Sequence, residues 1–187
     1  MEPGQRERLL AELGCRRMLA EPGTGGKKTD GEVLTLWGQP AWRAVPHGED
    51  AGVPQALMDA GPRQKLLVQI AYAEPACGDD ACAAWVEDAW AGLGLGAVSG
   101  CARELYERFC AASDLALLKV GMIVAAPEVP YTFAGREHGH VGLYVGDGAV
   151  MDCAEGRVRK APLDLWLSTY GVMAEPRWGW LAHVGLD

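Results

Sequence analysis

The segment from residue 140 to 154 constrains the fold most, because it combines strict alternation with a glycine-rich turn. One face of the predicted strand carries His140, Gly142 and Tyr144, and valine or leucine occupies the positions between them, as in a strand with two different faces. Gly146-Asp147-Gly148 is a strong hairpin signal, and residues 149–154 form the predicted return strand. The chain is therefore expected to contain an antiparallel sheet.

Helical patterns come before this hairpin, and both strand and helix patterns come after it. An apolar run of strand length precedes the hairpin at 120–126, and helical spacing is found earlier, at 65–73, 82–93 and 102–110. The patterns after the hairpin predict a strand over 157–160, a short helix over 162–170 and a closing strand over 178–184. Helices followed by an antiparallel sheet indicate the α+β class.

The chain divides near residue 61. Residues 62–187 hold all the patterns above and form the predicted functional domain. Residues 1–61 form an N-terminal extension of unknown role, with a charged amphipathic helix over 5–20 and short strands over 33–37 and 41–45. A covering layer over the core is the simplest interpretation of this extension.

Length and charge exclude several classes of protein. The chain has 187 residues, of which 49% are hydrophobic, and this suffices for one buried core. Its net charge of −8 disfavours nucleic-acid binding and electrostatic adsorption to anionic membranes or anionic wall polymers. No apolar run reaches the roughly 18 residues of a membrane span, and the N-terminus does not resemble a signal peptide. We therefore expect a protein made in the cytoplasm, unless the chain is a trimmed form. Its oligomeric state is not indicated.

The cysteines fit reduced thiols better than a disulfide framework, because the chain is longer than typical disulfide-dense domains and has an ample core. There are six of them: Cys15, Cys77, Cys82, Cys101, Cys110 and Cys153.

Cys82 is the first candidate for chemistry, because it follows Gly78-Asp79-Asp80 at the start of an apolar helix. A thiol in the first helical turn meets unpaired backbone N–H groups and the positive end of the helix dipole, and both favour the thiolate. The two aspartates act against this by repulsion, or one of them caps the helix. The alternative role for Cys82 is that of a small core residue.

His140 is the second candidate, since a histidine at a strand end beside glycine is placed to face a cleft and to activate a thiol. The residue that would orient its ring depends on the hairpin register. A three-residue turn places Gly142 opposite Asp152 and puts Asp152 on the His140 face, whereas a two-residue Asp147-Gly148 turn places Glu155 opposite His140. We favour the three-residue turn and Asp152.

These segments, in this order, resemble the NlpC-type cysteine peptidases, a bacterial branch of the papain-like fold that cuts cell-wall peptides. The resemblance covers about residues 66–181. It rests on Cys82-Ala83-Ala84-Trp85-Val86, on a strand at 118–124, and most strongly on His140-Val141-Gly142-Leu143-Tyr144-Val145-Gly146-Asp147-Gly148.

The resemblance implies a papain-like α+β fold in which N-terminal helices pack on a central antiparallel sheet. It implies that Cys82 is the nucleophile, His140 the general base and then acid, and Asp152 the orienting group, with the Cys82 N–H in the oxyanion hole. The implied substrate is a peptidoglycan stem peptide, and no cofactor is implied. Ala81 and Ala83 depart from the family, which often has Asp and Ser there to hold the free amino end of the peptide.

Three alternatives remain open at this point. The same machinery would serve an amidase that cuts the sugar–peptide link or another amide hydrolase, and the fold would also serve a catalytically silent wall-binding or phage-structural module. A metal site is the third, with His138 and His140 on one strand face together with Cys77 or Cys153. Action at the wall without an export signal fits a prophage-type lysis or tail protein.

Overall fold

The computed structural model describes residues 54–75, 78 and 81–187. The predicted helix over 5–20 and the predicted strands over 33–37 and 41–45 lie outside these residues. Within them, the chain forms five α-helices and one five-stranded sheet, together with short 3₁₀ turns. The helices are α1 (Pro62–Ala73), α2 (Cys82–Ala91), α3 (Ala102–Phe109), α4 (Phe133–His138) and α5 (Leu163–Tyr170).

The start of α1 follows directly from its sequence. Pro62 occupies the first helical position, where its missing N–H costs nothing. The side chain of Gln64 reaches back and accepts a hydrogen bond of 2.6 Å from the N–H of Gly61. The amide nitrogen of Gln64 donates to the carbonyl of Val120 at 2.8 Å, so this fully buried side chain ties α1 to the approach of the sheet.

The sheet is antiparallel throughout, in the order β4-β3-β2-β1-β5. All residues of the three central strands are buried, α2 packs against β2 and β3, and α3 packs against β1 and β5. The α+β prediction is confirmed, because three helices precede the strands along the chain. The strands are β1 (Ile123–Ala126), β2 (His140–Gly146), β3 (Ala149–Ala154), β4 (Arg157–Pro162) and β5 (Arg177–Gly179).

The register of the β2–β3 hairpin is the one that we favoured. Gly142 lies opposite Asp152, although the turn itself consists of Asp147 and Gly148, both with positive φ, and the register shifts by one residue near Gly146. The shift leaves one extra residue in β2, and this changes the pairing of the two strands in the same way as a three-residue turn would. Glu155 is exposed in the next turn at φ 51°, so the alternative register with Glu155 opposite His140 is wrong.

Three predicted features differ from the structure. The first strand is shorter than predicted, because it begins at Ile123 and not at residue 120. His138 ends helix α4, and Gly139 at φ 74° separates it from β2, so the prediction that His138 and His140 share a strand face is wrong. The closing strand is also shorter than predicted, because it ends at Gly179 and a 3₁₀ turn (Leu181–His183) follows it. At the closing strand, a 3₁₀ turn forms in a run of residues that has strand-like composition.

Cys153 in β3 is disulfide-bonded, so the prediction of reduced thiols is wrong for this residue. Cys82 and Cys110 are free thiols, and both are buried. Burial raises the pKa of Cys110 to about 12. The reactivity of the Cys82 thiol can therefore be compared with that of Cys110 in the same protein.

Gly142 is expected to tolerate no side chain. A Cβ at this position would lie 2.7 Å from the carbonyl oxygen of Met151 and 3.2 Å from the Cβ of Asp152. We expect Gly142→Ala to lower the free energy of unfolding by about 1–3 kcal/mol, as overpacking does, and to displace Asp152. Urea denaturation of this variant and of Gly61→Ala, whose added Cβ would meet its nearest atom at 3.5 Å, measures the difference. Equal stability of the two variants would contradict the expectation.

Candidate active site

Cys82 is the first residue of α2, and the residue is buried, with 7% of its surface exposed. The helix starts there because Ala81 leaves the helical conformation, with φ −106° and ψ 29°. The thiol therefore lies in the first turn, where the N–H groups of a helix lack intrahelical partners and the helix dipole favours negative charge. The structure places Cys82 as the sequence predicts, at a helix start that packs against β2.

His140 is the first residue of β2, and its imidazole lies beside the Cys82 thiol, close enough for the sulfur to raise the pKa of the imidazole. Its Nε2 is 2.8 Å from Oδ2 of Asp152, which leaves Nδ1 as the ring nitrogen available to the thiol. The structure thus brings Cys82, His140 and Asp152 together. The diagonal placement of Asp152 and His140 follows from the β2–β3 register.

Both carboxylate oxygens of Asp152 are bonded. Oδ2 accepts hydrogen bonds from His140, from Nε1 of Trp166 at 3.0 Å and from Nη2 of Arg159 at 2.9 Å, and Oδ1 accepts from Nε of Arg159 at 2.9 Å. Burial alone would raise the pKa of Asp152, but the bonds and charges of His140 and Arg159 lower it to about 2. Asp152 is therefore an anion throughout the physiological range.

Two aromatic rings of α5 stack on the imidazole. The ring centroids of His140 and Tyr170 are 4.1 Å apart with an interplanar angle of 27°, and those of His140 and Trp166 are 5.9 Å apart at 26°. The Tyr170 hydroxyl accepts a 2.6 Å hydrogen bond from Nη2 of Arg159, and burial raises the pKa of Tyr170 above its usual value. These contacts fix the plane of the imidazole, and an aromatic face also stabilises positive charge on it.

The charges around His140 favour its protonated form. Burial alone would lower the pKa of His140, but the charge of Cys82 and the hydrogen bonds to Asp152 and Cys82 raise it to about 9. At neutral pH the site thus contains a protonated His140 beside Cys82, with the Asp152–Arg159 ion pair behind it. Such a pair can hold a thiolate that is poised to attack an electrophile.

The sequence reasoning missed three residues of this site: Arg159, Trp166 and Tyr170. A signal for Arg159 was present, because a two-residue turn at Glu155-Gly156 pairs Asp152 with Arg159, as observed. The spacing of Trp166 and Tyr170, four residues apart on a helix, also places them on one helix face. The helical spacing does not show that the face with Trp166 and Tyr170 packs on His140, because that contact depends on where α5 docks.

The described residues contain no group of three or more His, Cys, Asp and Glu side chains arranged to hold a metal ion. Of the residues in the predicted metal site, His138 lies on α4, Cys153 is disulfide-bonded, and Cys77 lies outside the described residues. No helix in the described part of the chain is both long enough and apolar enough to cross a membrane. No protein-family model matches the chain, and no curated protein matches it.

Proposed function

We propose that this protein is a cysteine hydrolase that cleaves amide bonds in peptidoglycan stem peptides, on a papain-like domain of the NlpC type. The observation that carries the proposal is the placement of Cys82 at a helix start, beside an imidazole whose far nitrogen bonds to a buried carboxylate. The order of helices before an antiparallel sheet supports the papain-like fold.

The mechanism uses the Cys82–His140 pair twice. The Cys82 sulfur attacks the amide carbonyl carbon, and the resulting oxyanion accepts a hydrogen bond from the backbone N–H of Cys82. His140 donates its proton to the amide nitrogen, the C–N bond breaks, and an acyl-enzyme remains. His140, now neutral, takes a proton from water, whose oxygen attacks the thioester carbonyl. The C–S bond then breaks and the carboxylic acid product leaves, which restores the Cys82 thiolate beside the protonated His140.

The wall-peptide substrate is supported by the resemblance to the NlpC-type peptidases. Ala81 and Ala83 are both buried apolar residues, so their side chains supply no polar group for the free amino end of a peptide. The disulfide at Cys153 agrees with action outside the cytoplasm, because disulfides persist mainly in oxidising compartments.

Incubation with purified muropeptides of defined structure tests the proposal. We expect products with a newly exposed amino group within the stem peptide, identified by mass spectrometry, and no product from the Cys82→Ala protein. Products separated at the sugar–peptide link would show an amidase instead. Absence of any product, together with Cys82 alkylation by iodoacetamide no faster than that of a free cysteine, would favour a silent binding or structural module.

The pH dependence of hydrolysis is expected to have an alkaline limb near pH 9, the raised pKa of His140. Below this pH the imidazolium that pairs with the thiolate is present, and above it the rate should fall about tenfold per pH unit, as for loss of one proton. The same proton also stabilises the folded protein, because the pKa of His140 is higher in the folded state than in the unfolded state. This stabilisation is complete below pH 6.5 and is lost as the pH rises through about 9.

The measurement is kcat/KM against pH, with His183→Gln as the matched control. His183 is exposed and its ring contacts Phe109, so this variant should keep the alkaline limb of the unaltered protein. A limb near pH 6.5, the ordinary pKa of histidine, would mean that the Cys82–His140 pair does not carry the rate.

A further inference from the structure

Arg159 lies on the edge strand β4 and bonds to Asp152 and to Tyr170. It lies directly opposite Asp152 in the β3–β4 pairing, and its guanidinium donates to both carboxylate oxygens through Nε and Nη2, each at 2.9 Å. This two-point geometry fixes the orientation of a carboxylate as well as its charge. The side chain of Asp152 is 3% exposed, so this ion pair is shielded from solvent on the aspartate side.

A second contact connects Arg159 to the other support of the imidazole. Nη2, which bonds to Oδ2 of Asp152, also donates to the hydroxyl of Tyr170 at 2.6 Å. Asp152 holds the edge of the His140 ring, and Tyr170 stacks on its face. One guanidinium therefore ties together the two groups that set the position and the plane of the imidazole.

We propose that Arg159 is a positioning residue for the hydrolysis, which acts through Asp152 and Tyr170 to hold His140 in line with Cys82. This inference rests on the proposed function. Arg159 has no proton to transfer at working pH, because the pKa of a guanidinium, raised further here by Asp152 against the effect of burial, lies far above neutrality. Its contribution is geometric, and a point charge cannot replace it.

The neighbouring basic residues of the same strand differ from Arg159. Arg157 and Lys160 are both exposed, and Lys160 lies over the ring of Tyr72, away from the carboxylate. Arg159 is partly buried, with 24% of its side chain exposed, and its bonds go to Asp152 and Tyr170. Arg157 is therefore the matched control for removal of a charge from β4.

The test compares Arg159→Gln, Arg159→Lys and Arg157→Gln. We expect Arg159→Gln to lower kcat about tenfold to a hundredfold with KM changed less than about twofold, because a misplaced catalytic group impairs the reaction rather than ground-state binding. Arg159→Lys should fail to restore the rate, since an ammonium lacks the two-point fork. Arg157→Gln should keep the rate of the unaltered protein. A rate within twofold of normal in Arg159→Gln, or full recovery in Arg159→Lys, would overturn the inference.

A double-mutant cycle with Asp152→Asn shows whether Arg159 acts through this carboxylate. In the Asp152→Asn background, Arg159→Gln should cost less than about threefold, because its partner is already impaired. Equal losses in both backgrounds would overturn the inference. If Arg159→Gln does not fold, as thermal unfolding would show, the cycle and the rate comparison are made with Arg159→Lys, which keeps the charge and the aliphatic stem.

A readout that needs no substrate separates this inference from the proposed function. The rate at which iodoacetamide alkylates Cys82, followed by peptide mass spectrometry, reports the thiolate–imidazolium pair directly. If no wall peptide is cleaved but Arg159→Gln and Arg159→Lys slow this alkylation at least tenfold, the positioning role holds and the substrate assignment fails. If peptides are cleaved and both alkylation and kcat are unchanged in these variants, the proposed function holds and the role of Arg159 fails.

Discussion

Replacing Cys82 by alanine is expected to abolish hydrolysis, with a loss of at least about a thousandfold, as found when a covalent nucleophile is removed. The thiol is the only group of the site that forms the acyl-enzyme in the proposed mechanism. Alanine fits the space of the buried thiol, so the variant should remain folded, with a melting temperature close to that of the unaltered protein. The measurement is the rate of product release from a defined muropeptide.

Cys110→Ala is the matched control for this variant. Cys110 is also free and buried, but burial raises its pKa to about 12, so it is expected to be neither a nucleophile nor reactive toward iodoacetamide at neutral pH. We expect full hydrolytic activity in Cys110→Ala and alkylation of Cys82 alone of these two thiols. Retained turnover in a folded Cys82→Ala protein would rule out the covalent mechanism.

Replacing Asp152 by asparagine is expected to lower kcat about a hundredfold to ten-thousandfold, as loss of the carboxylate behind a catalytic histidine does. The amide is uncharged, and in either orientation its NH₂ group would face an N–H donor of Arg159, either Nε or Nη2. The pKa of His140 should fall, because its bond to Asp152 is among the causes that raise it. The alkaline limb should therefore move below pH 9.

The same change is expected to cost about 3 kcal/mol of stability, because it leaves the buried end of Arg159 without its counter-charge. In the unaltered protein this carboxylate has its pKa lowered from 3.8 to about 2, so its contribution to stability is present above pH 3.8 and is lost as the pH falls through about 2. Urea denaturation at neutral pH measures the loss. Asp59→Asn, an exposed change in a 3₁₀ turn, is the control and should be neutral. An Asp152→Asn protein with unchanged rate and unchanged alkaline limb would exclude Asp152 from the site.

Local patterns predicted much of the described fold. The return strand was predicted at its observed bounds, and the starts of α2 and α3 were predicted at Cys82 and Ala102. These features depend on alternation, helical spacing and turn residues that lie next to one another in the chain. The segment 133–138 was missed as a helix, because it is short and its start depends on the Thr132 side chain accepting from the N–H of Gly135.

The composition of the site was predicted only in part, and the missing part depends on packing between elements. Asp152 could be placed by register, since side chains of paired strands alternate with a period of two. Trp166 and Tyr170 could not be placed, because their contact with His140 depends on how α5 docks against β3 and β4. Arg159 was within reach of the same register argument, applied to the Glu155-Gly156 turn.

The sequence by itself determined the β2–β3 hairpin and the position of Cys82 at a helix start, and it limited the face of Asp152 to two alternatives set by the register. Local hydrogen bonding and side-chain periodicity suffice for these features, because they involve residues close together in the chain. Only the tertiary structure decided that the Cys82 thiol lies beside His140 and that Arg159 connects Asp152 with Tyr170. Contacts between separate elements depend on how buried surfaces fit together in three dimensions, and no local pattern encodes that fit.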